Sequence, residues 1–277
     1  MIAWKDHVTL PAIRSEVHFD GRTIQCFVNR PPSFYWMFER AVKERPQHEC
    51  ISFNDQHLSY AEVSAEVNKL ANGFAARGMK QGDRVVMFIS NRPEFITVLF
   101  ALQKLGVITV PVGTREQGPG LAYIINQCGA VGIVFDEELT DRIPNAATSP
   151  QLQLRVSTGQ ATGTIEALHA LDGPNVNTVV VNEEDCACIL YTSGTTGNPK
   201  GAMLTHLNIA HSVVHYEVTM QLTKDERGAL AVPASHVTGL IALIAEMVHV
   251  MGTLVVIAEF KAADFVPLAA RERVTFS

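Results

Sequence analysis

Hydrophobic and polar positions alternate with a changing period along this chain, and each change of period marks an element. Ser33 followed by Phe34-Tyr35-Trp36-Met37-Phe38 predicts a capped amphipathic helix from about 33 to 44. Cys50-Ile51-Ser52-Phe53 and His57-Leu58-Ser59 flank the polar turn Asn54-Asp55-Gln56, the pattern of a hairpin. From 60 to 77 the spacing is helical, with Leu70, Ala71 and Phe74 on one stripe and Gly78 as the stop. A βαβ unit follows: a strand from Arg84 to Ile89, a helix from Pro93 to Leu105 and a strand from Val107 to Val110. A crossover helix makes its two strands parallel, and such sheets hold ligands beyond the carboxyl ends of their strands. Residues 121–127 and 130–135 repeat helix then strand, whereas 137–175 carry a weak pattern with scattered Pro, Gly and Thr, expected as a surface excursion or linker. Strand character returns at Val179-Val180-Val181 and at Cys186 to Tyr191. Ala202-Met203-Leu204 is a short strand, and Thr205 caps a helix over about 206–219. The fold class is α/β, with stacked αβα layers and largely parallel sheets; no solenoid-type repeat is present.

Val237 to Ala258 is mostly apolar and long enough to weigh as a membrane span. Glu246 and His249 interrupt it, and beyond Gly252 the run Leu254-Val255-Val256-Ile257 is largely β-branched. A helix followed by a buried strand accounts for that change, so no membrane crossing is expected. Met1 to His7 contains no apolar core of signal-peptide length. With 47% hydrophobic and 18% charged residues, the chain is globular rather than disordered. A net charge of −6 offers no basic face for nucleic acid, although a small anion can still bind where backbone N–H groups converge. The five cysteines are odd in number and fit no zinc spacing, which points to reduced thiols and a cytoplasmic setting. Cys186 and Cys188 alternate on a strand and are expected to point to one face as small buried hydrophobes.

The candidate chemistry lies between Ile189-Leu190-Tyr191 and Pro199-Lys200-Gly201, where seven residues from Thr192 to Asn198 are all Thr, Ser, Gly or Asn. Such clusters are commonly plain surface turns, but this one joins two apolar strands and ends in Pro-Lys-Gly. Gly194 and Gly197 let the backbone approach an anion closely. Successive N–H groups can form a concave nest, and the hydroxyls of Thr192, Ser193, Thr195 and Thr196 add donors. Lys200 adds a mobile positive charge. The spacing is not that of the common P-loop, since Lys200 precedes Gly201 and Gly194 and Gly197 are three apart.

The string Tyr191 to Gly201 resembles the signature of the adenylate-forming superfamily, which includes acyl-CoA synthetases, luciferases and peptide-synthetase adenylation domains. The likeness extends to Leu58-Ser59-Tyr60-Ala61-Glu62-Val63, to Lys104 through Pro111, to Thr114-Arg115, and to Pro233-Ala234-Ser235-His236-Val237-Thr238-Gly239-Leu240. The last of these is similar to the proline-x-x-histidine-x-x-glycine motif, most of all in fatty-acyl and aryl-acyl CoA ligases. The resemblance implies ATP-dependent activation of a carboxylic acid, fatty acids first, to an acyl-adenylate and then a coenzyme A thioester. ATP, magnesium and coenzyme A would be the cofactors and co-substrates. It implies that Thr192, Ser193, Gly194, Thr195, Thr196, Gly197 and Lys200 bind nucleotide, that Lys200 is catalytic, that Thr192 ligates magnesium, and that His236 and Gly239 border the acyl pocket. An adenylation domain loading a carrier protein and a non-catalytic nucleotide-binding module are the alternatives.

Relatives place a magnesium-binding glutamate, an adenine wall, a ribose-binding aspartate and an adenylation lysine downstream of the histidine motif. Here the tyrosine-glycine-x-threonine-glutamate motif is missing, since Tyr216-Glu217 is the sole tyrosine position after the loop. The chain is therefore expected to be the N-terminal portion of the AMP-binding domain, with subdomains of about 1–175 and 176–277 and no C-terminal domain. It is expected to be inactive alone and to self-associate through an apolar face. Three other features are weaker. His211 and His215, four apart, are expected on a solvated helix face; Glu183-Glu184-Asp185 as a solvated strand entry; and Lys224-Asp225-Glu226-Arg227 as an exposed turn.

Overall fold

The computed structural model describes residues 11–192 and 198–277. An antiparallel hairpin opens the chain, β1 (Ile13–His18) and β2 (Arg22–Phe27). Helix α1 (Phe34–Glu44) follows, with the Ser33 side chain accepting from the Trp36 N–H as the sequence predicts. Then come β3 (Glu49–Phe53), β4 (Gln56–Ser59) and α2 (Tyr60–Ala76). A reciprocal capping box between Ser59 and Glu62 starts α2, and Gly78, with φ of 84°, ends it. The expected βαβ unit is β5 (Arg84–Phe88), α3 (Pro93–Lys104) and β6 (Ile108–Pro111). It is followed by α4 (Gly118–Cys128) and β7 (Gly132–Phe135).

The segment 137–175 is not a simple excursion. It contributes β8 (Leu154–Ser157) and β9 (Glu166–Ala167), which extend the sheet in parallel beyond β7. Val179-Val180-Val181 forms no strand: the Val179 N–H bonds the Lys104 carbonyl at 2.9 Å, and Val180 stands 90% exposed. Next are β10 (Cys186–Thr192), β11 (Lys200–Thr205), α5 (His206–Met220) and β12 (Arg227–Leu230). The apolar stretch after His236 winds as a π-helix over Thr238–Ala245 and passes into α6 (Glu246–His249) and β13 (Thr253–Val256). This is the expected helix followed by a buried strand, and no described helix is long and apolar enough to cross a membrane. Helix α7 (Ala262–Arg271) closes the described chain and buries none of its residues; Val266 is 70% exposed and Phe260 beside it 53%.

Seven strands form one sheet in the order β11-β10-β6-β5-β7-β8-β9, parallel except for β11; four form a second, β12-β13-β3-β4, with only β4 antiparallel. Both draw strands from before and after residue 175. Strand alternation sorts the core. Val85 and Met87 of β5 face one cluster, with residues of α1, α2, α3, α5 and the π-helix and with Ile51 and Leu254 of the second sheet. Val86 and Phe88 face the other, against Leu121, Ile124 and Ile125 of α4. The two sheets thus share a central helical layer, with α4 outside the larger one. On the outer side of the smaller sheet the Ser52 hydroxyl donates to Glu272 at 2.8 Å.

Cys186 and Cys188 do not share a face. The ladder to β11 shifts register between them, so Cys186 packs with the α4 cluster while Ala187 and Cys188 both enter the central core. Burial pushes both thiols up, Cys186 to about 11.

The polar features also sit more deeply than expected. Arg30 holds Glu16 at 2.7 Å and Glu183 at 2.6 Å, and His18 bridges Glu16 and Glu184. These hydrogen bonds, Arg30's first, hold the Glu16 carboxyl far below its ordinary range. The acidic strand entry is therefore the anchor of the β1–β2 hairpin. His211 is half-buried and stacks on Phe27 at 5.0 Å, while the exposed His215 meets the same ring edge-on at 4.8 Å. Arg227 leaves its expected exposed turn to pair with Glu49 at 2.5 Å and Glu272 at 3.2 Å.

Candidate functional site

Strands β5, β6, β7 and β10 run parallel, so their carboxyl ends lie along one edge of the larger sheet. The β10–β11 hairpin brings the candidate loop to this edge. Its register pairs Thr192 with Lys200, Tyr191 with Gly201 and Leu190 with Ala202. Thr192 and Lys200 are both exposed, and the Thr192 hydroxyl donates to the Lys200 carbonyl at 3.5 Å. Gly201 is required here: a Cβ would lie 2.7 Å from the Ile189 side chain and 3.2 Å from the Tyr191 ring. The Tyr191 hydroxyl donates to Gln127 of α4, which ties the mouth of the hairpin to that helix. Ser193, Gly194, Thr195, Thr196 and Gly197 lie outside the described residues.

The second motif reaches the same edge from the other sheet. Beyond β12 the chain turns through Val232 to His236, whose N–H bonds the Pro233 carbonyl at 3.0 Å. The His236 carbonyl then accepts from Leu240 at 2.8 Å and starts the π-helix. His236 itself is exposed, whereas Gly239 is buried. A Cβ at Gly239 would meet the Pro233 carbonyl oxygen at 2.3 Å, so the tight return after His236 admits only glycine. Ser235 lies near the loop that follows β6: a Cβ built on Gly113 would be 3.7 Å from its Oγ. A cleft of about 140 Å³ opens between α5 and this arm, lined by Ile209, Ser212, Tyr216, Val237, Thr238 and Ile241.

Asn91, in the turn between β5 and α3, joins the two halves and was not singled out from the sequence. Its side chain donates to the carbonyls of Leu230, Val232 and Ile257 and accepts from the Ala234 N–H at 2.8 Å. The available signal was an Asn just past a strand and two residues before a helix-starting Pro, which reads first as a turn former.

Magnesium takes oxygen ligands in near-octahedral array, usually one or two carboxylates with substrate phosphates. Thr192 offers one neutral hydroxyl, already directed at the Lys200 carbonyl. Among the described residues that hydroxyl would be one ligand of such a set, and no step is assigned to the metal. One other donor cluster among the described residues, Glu16, His18 and Cys26, has ligand atoms within 4.8 Å of one another. Arg30 occupies both Glu16 oxygens there, which makes the group an anchor rather than an ion site.

Parallel strands whose carboxyl ends carry the β10–β11 hairpin, with the turn at His236 entering from the smaller sheet, define an α/β domain with its candidate site at one sheet edge. The chain belongs to the AMP-binding enzyme family, whose match covers residues 38–277. It is 32% identical over 240 residues to the feruloyl-CoA synthase of an Amycolatopsis species, a match spanning 87% of this chain and 47% of that protein. Among solved structures it is similar to a long-chain-fatty-acid-CoA ligase of Archaeoglobus fulgidus, with a TM-score of 0.83, 24% identity, and coverage of 90% of this chain and 52% of that one. The o-succinylbenzoate CoA synthetase of Bacillus subtilis in complex with ATP and magnesium ion superposes with a TM-score of 0.75 at 21% identity, over 90% of this chain and 63% of that one. The chain thus spans about half the length of the curated relative it matches.

Proposed function

We propose that the polypeptide carrying this chain activates a carboxylic acid with ATP and delivers the acyl group to coenzyme A. The acid's carboxylate oxygen attacks the α-phosphorus of ATP, the bond to the bridging oxygen of the β-phosphate breaks, and pyrophosphate leaves. The coenzyme A thiol then attacks the carbonyl of the acyl-adenylate; AMP departs with the bonding electrons and the thiol proton passes to solvent. The observation that carries this reading is the in-register pairing of Thr192 with Lys200 at the carboxyl edge of the larger sheet. Lys200 would offset the charge gathering on the departing pyrophosphate, and the loop N–H groups and hydroxyls would orient it. The B. subtilis enzyme of like fold binds ATP and magnesium, which supports the same ligands here.

The acid is proposed to be apolar, with fatty acids as the first class. The cleft beside α5 supports this, since Val237 and Ile241 of the arm beyond His236 line it opposite Ile209. Aryl acids are the second class, because the relative at 32% identity is a feruloyl-CoA synthase. Acid-dependent exchange of pyrophosphate into ATP, run with saturated fatty acids and hydroxycinnamic acids side by side, tests both. Exchange with fatty acids supports the first class and exchange with cinnamic acids alone replaces it; ATP binding without exchange for any acid overturns the reading.

A further inference from the structure

We propose that Asn91 is a positioning residue that fixes the His236 turn against the edge carrying the phosphate loop. The proposal rests on the reading of His236 as a wall of the acid site. Asn91 Nδ2 lies 2.9 Å from the Val232 carbonyl, 3.1 Å from that of Ile257 and 3.3 Å from that of Leu230. An amide has two N–H groups for these three acceptors, so they share them. Its oxygen takes the Ala234 N–H at 2.8 Å. Leu230 ends β12 and Ile257 follows β13, so one side chain closes the place where the smaller sheet's ladder runs out.

The residues flanking Asn91 are held from the opposite side. Asp136, 4% exposed at the end of β7, accepts from the Ser90 N–H at 2.8 Å and from Arg92 at 3.2 Å. The Asp136 N–H in turn bonds the Phe88 carbonyl at 3.1 Å. Hydrogen bonds from the larger sheet through Asp136 thus hold the residues on either side of Asn91, and Asn91 in turn holds the Val232–Ala234 backbone. His236 is two residues further on. Acid activation requires a carboxylate and an α-phosphate, bound on loops of different sheets, to meet within a few tenths of an ångström of productive geometry. Among the described residues, Asn91 makes the side-chain contact that sets one loop's height against the other sheet.

The test compares wild type, Asn91→Ala and Asn72→Ala. Asn72 is a control clamp remote from the turn; its side-chain oxygen accepts from the Val176 N–H at 3.0 Å. The first readout is the ¹⁵N-histidine NMR spectrum with amide exchange of the 277-residue chain. Asn91→Ala is expected to shift the His236 ring signals and to speed exchange at Ala234 and His236 by about tenfold, the equivalent of one lost buried hydrogen bond. Asn72→Ala is expected to lower stability while leaving His236 unmoved. Unchanged His236 signals in Asn91→Ala overturn the proposal. If Asn91→Ala does not fold, Asn91→Ser, which retains one donor, carries the same comparison. The second readout is pyrophosphate exchange by the polypeptide carrying this chain: Asn91→Ala should raise KM for the acid several-fold more than KM for ATP, and equal changes overturn the positioning role. If that longer polypeptide activates no acid in its wild-type form, the reading of the site fails while the His236 spectrum still decides the role of Asn91.

Discussion

The backbone N–H of Phe34 donates to Nδ1 of His206 across 3.1 Å, joining the first turn of α1 to the first turn of α5. A helix leaves its first N–H groups without intrahelical partners, and here a buried imidazole takes one. Because the backbone can only donate, Nδ1 must carry a lone pair, so His206 is neutral.

That geometry sets a pH dependence. Burial pushes the His206 pKa down to about 4, only partly opposed by Asp185. Unfolded, the imidazole takes a proton near its ordinary value of 6.5. The unfolded state thus binds more protons between these values, and stability falls as pH drops through that window. His206→Asn is expected to flatten this part of the urea-midpoint profile relative to wild type, while being about 1–2 kcal/mol less stable at pH 7.5.

Glu246 acts in the opposite direction. It is fully buried in α6, and neither carboxylate oxygen meets a hydrogen-bond partner among the described residues. Burial, reinforced by the nearby Glu217 charge, raises its pKa to about 9. The folded protein keeps this proton while the unfolded chain releases it above 4.5, so stability falls as pH rises from 4.5 to about 9. Glu246→Met, of similar volume, is expected to stabilise by about 2–4 kcal/mol at pH 8 and by much less at pH 5. An equal gain at both values would rule out the raised carboxyl.

Gly239→Ala places a methyl group 2.3 Å from the Pro233 carbonyl oxygen, a backbone atom that cannot rotate away. The expected loss is about 2–3 kcal/mol in urea unfolding, with acid activation falling more than ATP binding. A neutral result would mean that the turn after His236 has room to open.

Lys200→Ala is expected to leave folding unchanged, because the side chain is exposed. In the polypeptide carrying this chain it should slow adenylation by about 1.5–3 kcal/mol of barrier, as for one charge-assisted hydrogen bond. An unaltered rate of pyrophosphate exchange would remove Lys200 from the chemistry.

Arg30→Met unties Glu16 from Glu183 and should loosen the β1–β2 hairpin before anything else. Hydrogen exchange is expected to rise at Ile13 to Phe27 and to stay slow in β5 and β6. Uniformly faster exchange would show that the hairpin is integral to the core.

The elements with long apolar periods were legible from sequence, from α1 through the βαβ unit to α5, because each buries one face against a sheet. What escaped was set by neighbours. Leu154-Arg155-Val156-Ser157 looks like loop in isolation and becomes a strand only because β7 offers it a parallel edge. Val179 to Val181 has strand composition but pairs with no strand. Cys186 and Cys188 alternate on paper, yet a bulge turns one of them over. At the candidate site, the loop and the histidine turn were recognisable as local strings. Asn91 was not, since its role arises from acceptors between 139 and 166 residues away.

The pairing of Thr192 with Lys200 has a consequence for how the loop can vary. A hairpin transmits any change in loop length to its strands, and a slip of one residue would move Lys200 to the opposite face of β11 and pull Gly201 out from under Tyr191. An insertion or deletion that forced such a slip would therefore change β11 itself and not only the connection between the strands.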